Sequence, residues 1–424
     1  MLPPPPCIIC KIASDRLRLF AGVVGALIAS ASMAASSISV DSVVQRWPWN
    51  NKIDITYTVT GGQDVVAGVY ARIVFTANIG GATYTIDGVR DVGANASNGT
   101  HRVTWTLPSG LRANGCEMTA TLLTSDTPSG DDYMIVDLDS GEVMYEGLLA
   151  TQEASNTRYN TDLYKSTNGT SACRMVLRKI PAGGPYPTGS DPSPQNCVNT
   201  RHTWTTSRDY YIGVFPVTQY QYAKICGTNT SLKVSALAGN PVGQRPVENL
   251  SWNDLRLATT EPDSPVPTVV DNSGTFLQRL NYLTGNKFGF DLPSEVMSEI
   301  AIRAGATTKY YWGDLANTAY AVSKETSPNS TMAVGSRLPN AWGLYDAQGN
   351  VFEWCLDGGN VNTDMAGNAD VFTPIAGTNN RKVRGGGQFG EGIANTTFLA
   401  SRRIAIAKTT RNDHVGFRVA CIVK

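Results

Sequence analysis

Two carboxylates, Asp346 and Glu353, stand seven residues apart on either side of a turn at Gln348-Gly349-Asn350. The glycine permits positive φ and lets backbone carbonyls point inward beside the acids. Carboxylate and carbonyl oxygens together suit a hard cation such as calcium. The same acids would equally well satisfy nearby backbone amides, and spacing alone leaves both readings open. Around them, Leu338 to Cys355 combines Gly343 and Gly349 with Trp342, Phe352 and Trp354, a pattern too irregular for a helix or a strand. Such a coil is ordered by what it buries or binds.

Other chemistries have less to work with. The histidines are His101, His202 and His414, scattered along the chain, which argues against a histidine-rich metal cluster or a Ser-His-Asp arrangement. Cys7 and Cys10 form a C-x-x-C, but they lie in what reads as a discarded leader. The remaining cysteines are Cys116, Cys173, Cys197, Cys226, Cys355 and Cys421. In an exported chain they predict one to three disulfides, with connectivity left open.

The run Gly343-Leu-Tyr-Asp-Ala-Gln-Gly-Asn-Val-Phe-Glu-Trp354 resembles the signature of the formylglycine-generating enzyme (sulfatase-modifying factor) family. Matches follow in the same order at Tyr211 to Gln219, Arg245 to Trp252, Leu292-Pro-Ser-Glu295, Tyr311-Trp-Gly-Asp314, Arg384-Gly-Gly386 and Gly416-Phe-Arg418. Ordered matches of this kind are more specific than any single motif. The resemblance covers roughly residues 176 to 424 and implies an α+β, loop-rich C-type-lectin-like fold. It also implies one calcium, held by the Asp346 side chain, the Gly349 and Val351 carbonyls and the Glu353 carboxylate.

Enzymes of that family oxidise a sulfatase cysteine to formylglycine through two active-site cysteines that hold copper, thiolates being the soft ligands that select Cu(I). Counting on from Gly385-Gly386, those positions fall on Gly390 and Asn395, and residues 385–403 contain neither Cys nor His. Copper and iron are therefore not expected, and the chain leans away from being an enzyme. An iron-dependent sulfur-transfer branch of the family uses a histidine cluster that three scattered histidines do not supply.

The elements that position this segment read as follows. Residues 1–35 have basic residues ahead of an apolar run, Leu19 to Ala31, and small residues at Ala34-Ala35, as in an export signal. The apolar run is too short to remain as a membrane span. Residues 36–150 alternate apolar and polar residues in short strands, beginning with Ile53, Ile55, Tyr57 and Val59, and suggest an all-β sandwich of immunoglobulin or fibronectin type III kind. Residues 151–172 are polar and read as a linker, leaving 173–424 as the lectin-like domain. Within it, the stretch Pro181 to Pro194 reads as a surface loop. Helices are predicted over Gln219 to Cys226, Trp252 to Leu257, Phe276 to Leu283, and from Ser294 to Gly305.

Acids and bases balance at 35 each with no basic block, which argues against nucleic acid as a partner. The expected function is a secreted, periplasmic or cell-surface binding protein on a cation-stiffened scaffold. Its ligand would be a carbohydrate, peptide or protein, met between Gly387 and Asn412 by Gln388, Phe389, Glu391, Asn395, Thr397 and Phe398. Aromatic and small polar side chains together suit such recognition. Lectin-fold proteins diversified by retroelements place variable residues at this point of the scaffold, which makes a variable binding protein one form of this reading. The alternatives are a metal-dependent oxidoreductase with a rearranged site and a structural component of the cell surface.

Overall fold

Among the described residues between Ser37 and Ser125 the regular structure is all strand: β1 (Ser37–Gln45), β2 (Lys52–Thr60), β3 (Tyr70–Ile79), β4 (Ala82–Ile86), β5 (Gly99–Thr106) and β6 (Glu117–Ser125). The computed structural model describes residues 37–46, 52–60, 70–86, 99–107, 111–112, 116–125, 130–166, 173–190, 200–257, 265–327, 329–360, 370–377, 379–386, 392–394 and 396–422. The predicted export leader lies outside these residues. The six strands make two antiparallel three-stranded sheets, ordered β1-β2-β5 and β4-β3-β6. Their apolar residues, among them Ile53, Ile55, Tyr57, Phe75 and Met118, form one buried cluster.

Two features of this unit depart from simple alternation. β1 was not legible because the register shifts between Val40 and Ser42, so the buried valines are 40 and 43 rather than two apart. Asp54 on β2 is buried, and Arg46, Arg102 and Thr104 satisfy it. Its hydrogen bond from Arg46 holds its carboxyl well below the usual carboxylate range.

The second unit comprises Tyr133–Met144 and Ala150–Lys424, while Tyr145–Leu149 group with the first. This corrects the boundary read from sequence. β7 (Tyr133–Asp137) was assigned to the sandwich, but it pairs with β9 (Arg174–Ile180). Tyr133, Met134, Ile135 and Val136 are all buried, the continuous apolar run of a strand covered on both faces. With β8 (Val143–Glu146), β12 (Tyr210–Gly213), β13 (Phe290–Asp291) and β18 (Ala420–Ile422), these strands form a six-stranded sheet ordered β13-β18-β12-β9-β7-β8.

The predicted linker is structured as well. Thr151 caps α1 (Gln152–Tyr159), and a 3-10 turn follows over Asp162–Tyr164. Tyr159 packs between Tyr133 and Tyr164, with ring centroids 4.3 and 5.3 Å away. A polar helix anchored by aromatics carries little apolar periodicity, which is why it read as a connection. Likewise Pro181 to Pro194 is not all loop: β10 (Gly183–Thr188) pairs with β11 (His202–Thr206).

The predicted helices form where their caps place them. α2 (Gln219–Cys226) and α3 (Trp252–Arg256) begin at capping boxes on Thr218 and Ser251. α4 (Phe276–Leu283) is followed by Gly285 at φ +70°. α5 (Glu295–Arg303) is buried along its whole length and packs against β10, β14 (Phe352–Gly358) and β15 (Asn380–Arg384). Those last two strands, with β16 (Ile404–Ala407) and β17 (Val415–Gly416), make a sheet ordered β16-β15-β14-β17. Among the described residues no helix is long and apolar enough to cross a membrane.

Candidate functional site

Specific bonds tie down the irregular segment ahead of β14. Asn340 donates to the Ala301 and Ile302 carbonyls at the end of α5, while its own oxygen accepts from Trp342 and Leu344. Tyr345 stacks on Phe215 at 5.1 Å. Gln348 accepts from the Tyr311 amide and donates to the Phe398 carbonyl. Asn350, at φ 66°, accepts from the Met332 amide and donates to the Met332 carbonyl and to Asp346. The turn that the sequence showed is thus closed by amides as well as by acids.

The acids themselves are both buried. Asp346 accepts from the Gly335 amide at 2.8 Å and from Asn350 at 3.2 Å. Burial pushes its carboxyl up to about 6; the Gly335 amide and the Arg418 charge pull it down, and Glu353 pushes it further up. Glu353 is gripped by Arg418, whose Nε lies 3.1 and 3.2 Å from its two oxygens and whose Nη2 lies 2.9 Å from Oε1. Burial raises this carboxyl too, against the pull of Arg418. Lys165 also senses Asp346, but its ammonium donates to Asn160.

The oxygen donors of this turn are the Asp346 and Glu353 carboxylates and nearby backbone carbonyls, the ligand types that a hard cation takes. Glu353 has the Arg418 guanidinium in direct contact, whereas Asp346 accepts from the Gly335 and Asn350 amides, and burial disfavours the negative charge of both. Gly385, at φ +90°, passes close to the same turn, since a Cβ there would come within 3.3 Å of the Ala347 carbonyl oxygen and 3.8 Å of the Val351 one. Among the described residues no group of three or more His, Cys, Asp or Glu is gathered to hold a metal. A calcium here would therefore draw part of its shell from backbone carbonyls, as the residue types at Gly349 and Val351 allow.

The motifs on either side are scaffold. Glu295, at the start of α5, meets Arg384 of β15 at 2.9 Å, Arg403 at 2.7 Å and Lys382 at 3.2 Å, all fully buried. Arg384 also reaches Glu299 at 2.8 Å, which in turn holds Arg303. Burial would raise Glu295, but the Arg384, Arg403 and Lys382 cations outweigh it and hold the carboxyl below its ordinary range. Sequence reading had not paired these residues. The signal lay in the motifs, since Leu292-Pro-Ser-Glu295 supplies the acid and Arg384-Gly-Gly386 the base.

The expected ligand-binding residues divide. Gln388, Phe389, Glu391 and Asn395, like position 390, lie outside the described residues. Thr397 and Phe398 sit in a 3-10 turn and are buried, which corrects their assignment to a presented surface. Phe398 packs with Tyr310, Ala321, Ile393 and Leu399, with Trp312 against the cluster. An aromatic column extends from there: Trp312 is stacked between Tyr310 at 4.7 Å and Tyr320 at 5.3 Å. Among the described cysteines Cys173, Cys226 and Cys355 are thiols, so the disulfide expectation does not hold for these three. Burial raises the Cys355 thiol well above its ordinary value, and Cys226 is raised to about 11.

Residues 164–422 match the family model of the sulfatase-modifying factor enzyme 1-like domain. Over 186 residues the chain is 27% identical to the chaperone protein LppX of Paenibacillus barcinonensis, covering 36% of this chain and 63% of that protein. Over 180 residues it is 29% identical to the formylglycine-generating enzyme of Streptomyces coelicolor, covering 38% of this chain and 54% of that enzyme. Both alignments span less than two thirds of the relative's own length. Among solved structures, Treponema denticola variable protein 1 superposes with a TM-score of 0.48 at 23% identity, covering 60% of this chain and 98% of its own. PvdO from Pseudomonas aeruginosa does so with a TM-score of 0.46 at 22% identity, covering 58% and 94%.

Proposed function

The chain belongs to the sulfatase-modifying factor enzyme 1-like family through residues 164–422, and on that premise we propose that it is an exported, non-catalytic ligand-binding protein. One contrast carries this reading. The family motif residues that remain are those that hold the scaffold, Glu353 with Arg418 and Glu295 with Arg384. The positions of the copper-holding cysteines carry Gly390 and Asn395 instead. Neither side chain supplies a soft ligand for oxygen chemistry.

In this reading the scaffold is stiffened by a calcium held at Asp346, Gly349, Val351 and Glu353, where the ion offsets buried negative charge. The ligand meets the chain around Gln388, Phe389, Glu391 and Asn395. The relative named as a chaperone favours a protein ligand over a sugar. The strands between Ser37 and Ser125 act as a sandwich spacer of immunoglobulin-like or fibronectin-like kind, and the leader at 1–35 delivers the chain outside the cytoplasm.

Metal analysis of anaerobically purified protein, paired with an assay on a cysteine-containing sulfatase peptide, tests the proposal. Bound calcium without copper or iron, and no aldehyde product, is the expected result. Stoichiometric copper or iron, or turnover of the peptide, would overturn it.

A further inference from the structure

Away from the Asp346 turn, a cavity of about 390 Å³ opens in the second unit beside β13 and β18, and none of its lining residues belongs to the segments at 338–353 or 387–398. Close-packed interiors leave few voids larger than a water molecule, whereas pockets that hold small molecules begin near this size. We propose that this cavity is a binding site for a small organic anion with an aromatic or branched aliphatic body.

The walls determine the body of that ligand. Phe290, Leu356 and Phe372 are buried apolar side chains that face the cavity, and the half-buried Phe288 extends the apolar surface toward solvent. A polar or heavily hydrated molecule would leave its groups without partners against such walls.

The charges determine the head group. Asp291 lines the cavity, but its carboxylate is already spent. Arg256 Nε lies 2.7 Å from Oδ1, Arg256 Nη2 donates to Oδ2 at 2.9 Å, and the Leu292 amide donates to Oδ1 at 2.7 Å. Arg256 is itself fully buried and backed by the Trp252 ring, so this pair is a fixed, neutral wall. Arg208 is different. It is exposed at the rim, its guanidinium 5.0 Å from the centre of the Phe372 ring, and among the described residues no carboxylate lies within ion-pair distance of it. Among the described residues that line it, the cavity therefore carries one positive charge without an ion-pair partner, at the rim of a largely apolar wall. A carboxylate or sulfonate meeting Arg208 would form the charge-assisted, two-pronged contact that guanidinium favours.

The probe for this site is 8-anilino-1-naphthalenesulfonate, an aromatic body with one anionic group, compared with its uncharged analogue N-phenyl-1-naphthylamine. The full chain should bind the sulfonate saturably, one per molecule. Arg208→Ala should weaken that binding about tenfold, and Arg208→Glu further, while the uncharged analogue binds all three proteins alike. Phe288→Ala should weaken both probes. Arg208 and Phe288 are not fully buried, so the variants are expected to fold, and matching thermal unfolding curves verify it. Failure of the native chain to bind the sulfonate saturably, or binding unmoved by Arg208→Glu, would overturn the proposal. Neither result bears on the calcium or on the 387–412 surface.

Discussion

Arg418 holds Glu353 across 65 residues of sequence with both carboxylate oxygens engaged, and the same guanidinium donates to the Gly213 carbonyl at 2.7 Å and the Tyr345 carbonyl at 2.8 Å. One side chain thus joins β12, the irregular segment, β14 and the chain's end. Breaking a buried pair from one side leaves an uncompensated charge, so Arg418→Met should destabilise the second unit by about 3–5 kcal/mol. Adding Glu353→Gln should recover part of that loss, because both charges then go. Urea unfolding of the single and double variants measures it, and equal midpoints for Arg418→Met and the native chain would show that the pair does not hold the fold.

Glu248 introduces a pH dependence of identifiable sign. It is fully buried, and its Oε1 accepts from the Lys233 amide at 2.7 Å. Burial raises it from 4.5 to about 7. A carboxyl raised in the folded state favours folding while it is protonated, so this contribution is complete below pH 4.5 and is lost as pH rises through about 7. The difference is on the order of 3 kcal/mol. Glu248→Gln keeps the shape and removes the proton equilibrium. Its stability relative to the native chain should therefore rise between those two pH values, and a constant difference across that range would contradict the burial argument.

Calcium should act on the same unit. An ion bound only by the folded state at a hundredfold excess over its dissociation constant adds about 2.7 kcal/mol. The melting temperature is expected to be higher in calcium than in chelator, and Asp346→Ala should abolish that difference. Identical melting in calcium and in chelator would remove the cation from the proposal.

Gly349 should tolerate no side chain. Its φ is +95°, and a Cβ would stand 2.6 Å from the Val322 carbonyl oxygen, a backbone atom that cannot swing aside. Gly349→Ala is expected to cost more than about 1–3 kcal/mol, since strain and contact add. Full stability in the alanine variant, measured by thermal unfolding, would mean that this turn relaxes.

The sequence made the local signals legible and the partnerships obscure. The capping boxes on Thr218 and Ser251, and the glycine after α4, fixed helix positions because each is a short-range bond within a few residues. β7 went to the wrong unit because its partner β9 begins beyond Asp137 and α1, at Arg174. The motif acids were visible, yet Glu295 and Arg384 lie 89 residues apart, and nothing local says that they meet. The cavity at Asp291 was invisible for the same reason, since its walls come from separate stretches between Arg208 and Ile422.

Phe398 shows what a type-based reading of a loop misses, and it yields the sharpest test. An aromatic beside small polar residues suggested recognition, but the ring is fully buried against Tyr310, Ala321, Ile393 and Leu399. Its carbonyl accepts from Gln348, and the Tyr310 hydroxyl donates to the Ile393 carbonyl at 3.2 Å, so the cluster braces the irregular segment. Phe398→Ala should therefore destabilise the second unit by about 3–5 kcal/mol, as truncation of a packed aromatic does. Phe398→Leu, which keeps most of the volume, should cost less. A surface role predicts the reverse, with unfolding midpoints unchanged and only ligand capture lost, and that outcome would return Phe398 to the binding face.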